Sequence, residues 1–161
     1  MAAPDFILAL REHVGTSPLW LSGTTAVVHD ETRVLLVRRS DNGMWTPITG
    51  IIDPGEQPAD AAAREAAEEA GVEIEVQRLA GIDVTDEVVY ENGDRSRYLD
   101  LTFECRLVSG EPRPDIEETT EVAWFDLDNL PPMSDELRKR IETATNGEVA
   151  ARFRRVAPSV G

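Results

Sequence analysis

The stretch from Gly50 to Val72 reads GIIDPGEQPADAAAREAAEEAGV and carries the most informative spacing in the chain. Three of its glutamates, Glu65, Glu68 and Glu69, stand at positions i, i+3 and i+4. On an α-helix their carboxylates span only about 100° of arc, so they repel one another unless a cation lies among them. Because Mg²⁺ and Mn²⁺ prefer oxygen ligands, the spacing indicates a divalent-metal site. A solvated acidic helix face is the structural alternative.

The residues around these glutamates predict a shaped loop followed by a helix with a defined start and end. Pro58 stands where a helix begins, in the first turn that proline tolerates. Most positions between the charged residues are alanine, which has the highest helix propensity and lets a helix lie close to a sheet. Gly71 follows where glycine commonly ends a helix. The local signals therefore agree in predicting a loop, then a helix, and then the end of that helix.

This arrangement resembles the signature of the Nudix hydrolases. The family pattern is Gly, five residues, Glu, seven residues, then Arg-Glu-apolar-x-Glu-Glu-x-Gly-apolar. In this chain it is filled by Gly50, Glu56, Arg64, Glu65, Ala66, Glu68, Glu69, Gly71 and Val72. Every charged and glycine position is present, and Ala66 departs from the family in standing where Leu, Ile or Val is more common. We call the stretch from Gly50 to Val72 the Nudix box.

The resemblance implies hydrolysis of a nucleoside diphosphate linked to another group, by cleavage of a phosphoanhydride bond. It also implies that Glu65, Glu68, Glu69 and the main-chain carbonyl of Gly50 are ligands of Mg²⁺ or Mn²⁺. Metal would neutralise the charge that develops on phosphate oxygens and would activate a water molecule. Glu68 or Glu65 would then take the proton of that water, and the choice between them stays open.

The resemblance further implies an ion pair inside the Nudix box. Arg64 and Glu56 would form a buried or half-buried pair that holds the loop and the helix in register. We therefore count Arg64 and Glu56, together with Glu65 and Glu68, among the candidate catalytic residues.

Three residues outside the box are candidates for substrate binding, each with a structural alternative. Arg38 and Arg39 end a strand that points toward the box, where the guanidinium of one of them grips phosphate in a bidentate manner, and Arg39 is our candidate; the alternative is a plain strand-end charge. Trp45 either stacks on a base or packs under the loop. Glu118 resembles the downstream acid that supplies a further metal ligand or base in some Nudix enzymes, or it is a solvated loop charge.

Hydrophobic periodicity and turn residues predict the order of elements along the chain. The predicted elements are a helix over 4–14 ending at Gly15, a strand over 19–29 with 34–39 as its hairpin partner, the box helix, a strand over 72–79, a long hairpin over 80–108 turning at 91–94, a loop over 109–118, a strand over 122–125, and a helix capped by Ser134 and running to about Thr145.

This order predicts an α/β (α+β) fold in which helices sandwich a mixed β-sheet, the α/β/α Nudix sandwich. We predict an N-terminal helical segment over 1–17, a Nudix hydrolase domain over 18–146 and a weakly ordered C-terminal tail over 147–161. A homodimer through the first helix and the 80–108 hairpin is considered by analogy only.

Composition sets further limits on partner and compartment. With 161 residues, of which 41% are hydrophobic, the chain is long enough for one core. A net charge of −15 argues against a nucleic-acid polymer as partner. We expect no membrane span, because the apolar runs are short, and no export signal, because the N-terminus lacks a basic region. The single Cys105 reads as a buried strand residue in a reducing compartment, which favours the cytoplasm.

Three functions are compatible with the sequence. The first is a metal-dependent Nudix pyrophosphohydrolase acting on a small nucleotide, such as ADP-ribose or a nucleoside triphosphate. The second is a Nudix-fold module that senses a nucleotide without cutting it, which we would expect to have lost box glutamates. The third is an acidic interaction domain, which would not need the glycine, proline and arginine positions of the box. The retained residues favour the first.

Overall fold

Strand β1 (Leu19–Val28) is buried on both sides from Gly23 onward, so it lies between two packed layers. The protein is represented by a computed structural model, which describes residues 3–154. Alternate residues of β1 point to opposite faces of the sheet and join different core clusters. The middle of this strand is therefore the centre of a three-layer arrangement.

The described residues form three helices and nine strands. The helices are α1 (Asp5–Val14), α2 (Pro58–Ala70) and α3 (Asp135–Thr145). The strands after β1 are β2 (Arg33–Arg39), β3 (Trp45–Thr46), β4 (Ile48–Ile51), β5 (Glu73–Val84), β6 (Val88–Val89), β7 (Arg95–Ser109), β8 (Thr119–Asp126) and β9 (Arg152–Phe153). None of these helices is long and apolar enough to cross a membrane.

The strands form two sheets. The larger sheet has the order β4-β1-β7-β5-β9, with β6 pairing to β7. It is mixed, because β1 runs parallel to β7 and β5 parallel to β9, whereas the other pairs are antiparallel. The smaller sheet has the order β3-β2-β8 and is antiparallel. This confirms the predicted mixed sheet and adds a second one.

Helix α2 covers one face of this arrangement. Its side chains Ala62, Ala66 and Ala70 are fully buried and pack in one cluster with Val28 of β1 and Leu35 of β2. Alanine at these positions brings the helix axis close to the strands, because no larger side chain separates them. The glutamates of the helix are thereby held close to the end of β4.

The opposite face carries the other two helices. Val27 packs with Ile141 and Ala144 of α3, while Leu21 packs with Ile7 of α1. Helices therefore lie on both sides of the strands, which confirms the predicted sandwich.

Most predicted elements are confirmed, with shifted ends. The box helix begins at Pro58 and ends at Gly71, whose φ of 67° is left-handed. The Ser134 side chain accepts a hydrogen bond from the Leu137 N–H, so it caps α3 as predicted. The long hairpin is present, although β5 is one continuous strand that already starts at Glu73. Cys105 is fully buried on β7.

The prediction that 34–39 is the hairpin partner of 19–29 is wrong. Only one isolated bridge, between His29 and Val34, joins the two segments, and β2 pairs with β3 and β8 instead. Residues Val34 to Val37 are buried on both faces, so β2 is the central strand of its own sheet. A local turn signal does not reveal that neighbouring strands enter different sheets.

The C-terminal region also differs from its prediction. Arg152 and Phe153, in the segment predicted to be weakly ordered, pair with Gly81 and Ile82 as strand β9. Residues 155–161 of that predicted tail, and residues 1–2 of the predicted N-terminal segment, lie outside the described residues.

Candidate active site

The i, i+4 spacing turns two glutamates of α2 toward the protein interior. Glu65 and Glu69 are 6% and 5% exposed, whereas the Glu68 side chain is 57% exposed. Glutamate is rarely buried to this extent unless it is paired or binds a metal. The three box glutamates therefore lie in different surroundings, with two inside and one at the surface.

The end of β4 touches the first of these glutamates. A Cβ atom at Gly50 would lie 2.0 Å from Cδ and 2.0 Å from Oε1 of Glu65, far inside van der Waals contact. A larger residue at position 50 would therefore force the Glu65 carboxylate out of its present position. Gly50 therefore lies beside Glu65, and its carbonyl as a metal ligand stays a prediction.

Arg64 connects three glutamates of the box. Its Nε and Nη2 donate to the two carboxylate oxygens of Glu56 at 2.9 and 3.0 Å, a bidentate pair. Its Nη1 donates to Glu65 at 2.8 Å and to Glu68 at 3.1 Å. Nη2 also donates to the Ile51 carbonyl at 3.1 Å, which fastens the helix to the strand end. The predicted Arg64–Glu56 contact is present, and the guanidinium reaches further than predicted.

At the loop end of this network, Arg64 stabilises the charged form of the Glu56 carboxylate. The Arg64 guanidinium holds the pKa of Glu56 below its ordinary value, even though partial burial opposes this. Glu56 also accepts a hydrogen bond from the Asp53 N–H at 3.1 Å. The Glu56 carboxylate thus ties the loop residue Asp53 to the helix residue Arg64.

The inner glutamates have the opposite electrostatics. Burial raises the pKa of Glu65 to about 7, although Arg64 lowers it. Burial raises the pKa of Glu69 to about 8, and the neighbouring Glu65 and Glu118 carboxylates add to that shift. A buried group of carboxylates with raised pKa values is typical of a functional site rather than of a stabilising ion-pair network.

A small cavity opens beside this group. It has a volume of about 200 Å³ and is lined by Pro4, Ile51, Asp53, Arg64, Glu65, Glu68 and Glu118. A larger groove of about 290 Å³ lies between α3 and the β5–β9 edge, and none of the predicted site residues line it. We therefore place the candidate active site at the smaller cavity, where the titratable groups converge.

The chemistry of these donors fits a hard divalent cation. The available groups are carboxylate and carbonyl oxygens, and Glu69 Oε2 is buried without a hydrogen-bond partner among the described residues. In residues 3–154, no three acidic, His or Cys side chains are yet close enough to hold a metal ion. In this arrangement, Arg64 Nη1 donates hydrogen bonds to both Glu65 and Glu68. A cation would need the exposed Glu68 side chain to turn away from Arg64.

Arg39 lies at the border of the site. Its guanidinium is bidentate to Asp41, at 2.9 and 2.5 Å, and its side chain is 23% exposed. Its charge is close enough to lower the pKa of Glu69. Arg38 points elsewhere and pairs with Glu121 at 2.6 Å. Of the two neighbouring arginines, Arg39 is the one whose charge affects a glutamate of the Nudix box.

Trp45 has a packing contact. Its ring meets the ring of Phe125 edge to face, with centroids 4.7 Å apart. It joins the cluster beneath α3, on the face opposite the box helix. This contact corresponds to the packing alternative, and stacking of Trp45 on a base stays a prediction.

Of the acidic residues in the loop before β8, Glu118 lines the cavity. Its charge raises the pKa values of both Glu65 and Glu69, so its carboxylate lies near theirs. Glu117 is fastened through its main-chain carbonyl to the Ser40 hydroxyl at 2.8 Å. The choice of Glu118 as the downstream acid thus agrees with its position.

Three lining residues, Pro4, Ile51 and Asp53, were not among the predicted site residues. Asp53 lies in the loop of the Nudix box and lines the cavity, and its acidic side chain is the sequence feature that could have identified it as a site residue. Pro4 begins α1 and reaches the cavity from the start of the chain. No local pattern around Pro4 indicates this contact, because it depends on how α1 packs.

Known proteins share this architecture and this box. The family model described as the NUDIX domain matches residues 20–144. A MutT-like protein of Streptomyces ambofaciens is 36% identical over 117 residues, which cover 71% of this chain and 70% of that protein. The crystal structure of an ADP-ribose pyrophosphatase from Streptococcus suis superposes with a TM-score of 0.60 at 25% identity, covering 83% of this chain and 96% of that one.

A further relative is a longer protein. The NAD-capped RNA hydrolase NudC of Vibrio parahaemolyticus is 30% identical over 109 residues, which cover 66% of this chain but 39% of that protein. This chain therefore corresponds to well under half of the NudC sequence. The family match spans most of the chain and includes the whole box, and the chain belongs to the Nudix family of hydrolases.

Proposed function

We propose that this Nudix hydrolase cleaves a phosphoanhydride bond of a small nucleotide with the help of Mg²⁺ or Mn²⁺. The observation that carries the proposal is the buried carboxylate of Glu69, which has an unpartnered oxygen and lies beside Glu65 and Glu118. Burial of so much negative charge is unfavourable for a purely structural helix. It is explained if a cation and a polyanionic substrate complete the site.

The chain's own residues have distinct roles in this proposal. Glu65, Glu68, Glu69 and the Gly50 carbonyl would hold the metal, and the bound ion would supply charge neutralisation at phosphorus and acidify a water molecule. Glu68 or Glu65 accepts the proton of the attacking water.

The remaining residues orient these groups. Arg64 keeps the helix aligned with the loop through its bidentate contact to Glu56. Arg39 supplies a guanidinium at the border of the site, where it would bind a phosphate oxygen in place of Asp41. Glu118 contributes a further carboxylate on the opposite wall of the cavity.

The proposed substrate is a nucleoside diphosphate linked to another group, such as ADP-ribose, or a nucleoside triphosphate. The name of one relative supports the first of these, since that protein is an ADP-ribose pyrophosphatase. The NudC relative is named for NAD-capped RNA. The net charge of −15, from 31 acidic and 16 basic residues, disfavours a polymer here.

A product-resolved hydrolysis screen tests the proposal. The panel contains nucleoside triphosphates, nucleoside diphosphate sugars, dinucleoside polyphosphates and NAD-capped RNA, each with Mg²⁺, with Mn²⁺ and with chelator. We expect metal-dependent release of a nucleoside monophosphate or pyrophosphate from a small nucleotide. Tight nucleotide binding without any product would instead identify a sensing module. Preferential cleavage of capped RNA would contradict the inference from charge. Cytoplasmic location and a homodimer remain predictions alongside this proposal.

A further inference from the structure

We propose that Asp115 is a positioning residue, which together with Thr119 fixes Glu118 against the end of the box helix. The inference deepens the proposed function and rests on it, because it concerns the same cavity. Asp115 lies in the turn formed by residues 115–119, immediately before β8. We refer to this segment as the 115–119 turn.

The Asp115 carboxylate organises the turn from within. Its Oδ1 accepts hydrogen bonds from the main-chain N–H of Glu118 and of Thr119, both at 2.9 Å. The Ile116 N–H donates to the Thr119 carbonyl at 3.0 Å, which closes the turn. A short acceptor side chain that binds two successive N–H groups fixes their direction. The direction in which the Glu118 side chain leaves the main chain is thereby determined by Asp115.

Thr119 fastens the turn to the helix that carries the box glutamates. Thr119 is 1% exposed, and its hydroxyl donates to the Glu69 carbonyl at 2.8 Å in a buried hydrogen bond. One residue further along the helix, the Ala70 carbonyl accepts from the Arg113 N–H at 2.9 Å. The last carbonyls of a helix lack partners within it, so these two contacts satisfy groups that would otherwise be unpaired. The loop and the helix end are therefore one connected unit.

The main chain of Glu118 is held on both sides. Its N–H donates to Asp115, and its carbonyl accepts from the Ser40 N–H at 2.9 Å. Ser40 directly follows Arg39, and Arg39 is paired with Thr119 across the strands. The end of β2, the end of α2 and the 115–119 turn thus meet at Glu118. A side chain whose main chain is fixed in this way needs little reorganisation to act in the cavity.

Backbone conformation supports a constrained role. Ile116 has a φ of 78°, in the left-handed region that a β-branched residue rarely adopts. Such a conformation persists only where the surroundings impose it, and it is concentrated at functional sites. The Ile116 side chain is 78% exposed, so packing of that side chain does not compensate for the strain. The hydrogen bonds of Asp115 and Thr119 are the contacts that hold it.

The experiment is a double-mutant cycle between Asp115 and Glu118 in the full chain. Variants Asp115→Ala, Asp115→Asn, Glu118→Gln and the double Asp115→Ala/Glu118→Gln are compared for kcat and KM on the best substrate of the panel. Asp30→Ala is the matched control, because Asp30 Oδ1 also accepts from a turn N–H, that of Arg33, at 2.9 Å. Asp30 lies shortly before the first residue of β2, whereas Ser40 follows the last residue of that strand.

We expect Asp115→Ala to lower kcat roughly tenfold or more, the size of effect seen when a partner of a site residue is removed, with little change in KM. Asp115→Asn should recover most of the rate, because its amide oxygen still accepts from both N–H groups. In the Glu118→Gln background, Asp115→Ala should cost little more. Equal losses in both backgrounds would overturn the inference, as would a Glu118→Gln enzyme as fast as wild type.

A second measurement separates this inference from the proposed function. Amide hydrogen exchange at Ser40 and Thr119 should become faster in Asp115→Ala, whether or not any substrate is found. Unchanged exchange there would overturn the positioning role. If wild type hydrolyses nothing in the panel, the proposed function fails. The amide exchange rates at Ser40 and Thr119 then decide by themselves whether Asp115 positions the turn. Should Asp115→Ala not fold, Thr119→Val, with Thr119→Ser as the hydroxyl-retaining control, replaces it in the cycle.

Discussion

Gly50 and Glu65 are packed so closely that any side chain at position 50 would force the Glu65 side chain to shift. The hypothetical Cβ would lie 2.0 Å from the Glu65 carboxylate carbon, whereas a Cβ at the neighbouring Gly23 would find its nearest atom at 3.5 Å. Gly50 does not have a positive φ. The glycine therefore allows the strand to approach Glu65 closely and is not needed for an unusual backbone conformation. Strand β4 and the box helix are joined through this contact.

Gly50→Ala should consequently displace the Glu65 carboxylate. Overpacking of a buried site costs about 1–3 kcal/mol, so we expect a lower free energy of unfolding in urea. Hydrolysis should fall roughly tenfold or more, because a candidate metal ligand moves. Gly23→Ala is the control and should keep both properties close to wild type. Equal behaviour of the two variants would show that the contact has no functional consequence.

Arg64→Ala should weaken both stability and rate. The guanidinium makes hydrogen bonds to Glu56, Glu65 and Glu68 and is partly exposed, so we expect a loss of about 1–3 kcal/mol in the free energy of unfolding. Arg64→Lys should recover little, because an ammonium cannot reproduce the bidentate contact.

The control for this prediction is Arg38→Ala. Arg38 pairs with Glu121 at the surface, where both side chains are about half exposed, and such pairs contribute roughly 0–1 kcal/mol. An unchanged melting temperature for Arg64→Ala, measured beside Arg38→Ala, would reject the role of the Arg64–Glu56 pair.

The buried glutamates predict a pH-dependent stability of the protein stripped of divalent cations. Their ordinary pKa is 4.5, and in the folded protein those of Glu65 and Glu69 are raised to about 7 and about 8. The folded state therefore binds more protons than the unfolded state between pH 4.5 and about 8, and stability falls as pH rises across this range. We expect a higher melting temperature at mildly acidic pH than at mildly alkaline pH.

Glu69→Gln should remove its share of this dependence, since the amide does not titrate. Added Mg²⁺ should stabilise wild type most at alkaline pH, where the carboxylates are charged and available. A melting temperature of the chelated wild type that rises steadily from acidic to alkaline pH would contradict the prediction.

The buried carboxylate of Asp100 should contribute to the stability of the fold and not to activity at the candidate site. Asp100 is 4% exposed and accepts from Arg140, Thr25 and Thr102 at 2.8–2.9 Å. Asp100→Ala leaves Arg140 buried without this partner, so we expect a loss of about 3 kcal/mol or more in chemical denaturation. Glu136→Ala removes the exposed partner of the same arginine and should cost under about 1 kcal/mol. Similar costs for both would show that burial is not decisive here.

Local rules were sufficient where neighbours in sequence are also neighbours in space. Helix α2 (Pro58–Ala70) and the Arg64–Glu56 pair depend on propensity and on spacing within one segment. Glu118 could be nominated only through the family resemblance. Its position depends on Asp115, whose residue type is ordinary for a loop and predicts no partner.

Long-range packing accounts for what the sequence did not predict. Strand β2 joins β1 by a single bridge and pairs with β3 and β8 instead, an arrangement that only the assembled layers determine. Pro4 reaches the cavity because α1 packs on Leu21 and Ile51, far away in the chain. Likewise, the choice of substrate depends on loops around the box that follow no simple spacing rule.

The most direct test of the central claim is the initial rate of hydrolysis by Glu68→Gln and Glu69→Gln with Mg²⁺ present. Glu142→Gln, an exposed glutamate change on α3, is the matched control. We predict that both box variants lose roughly a hundredfold or more, since loss of outer-shell partners alone costs about 10–100-fold, while the control keeps its rate. Box variants that hydrolyse the nucleotide as fast as wild type would contradict the catalytic assignment.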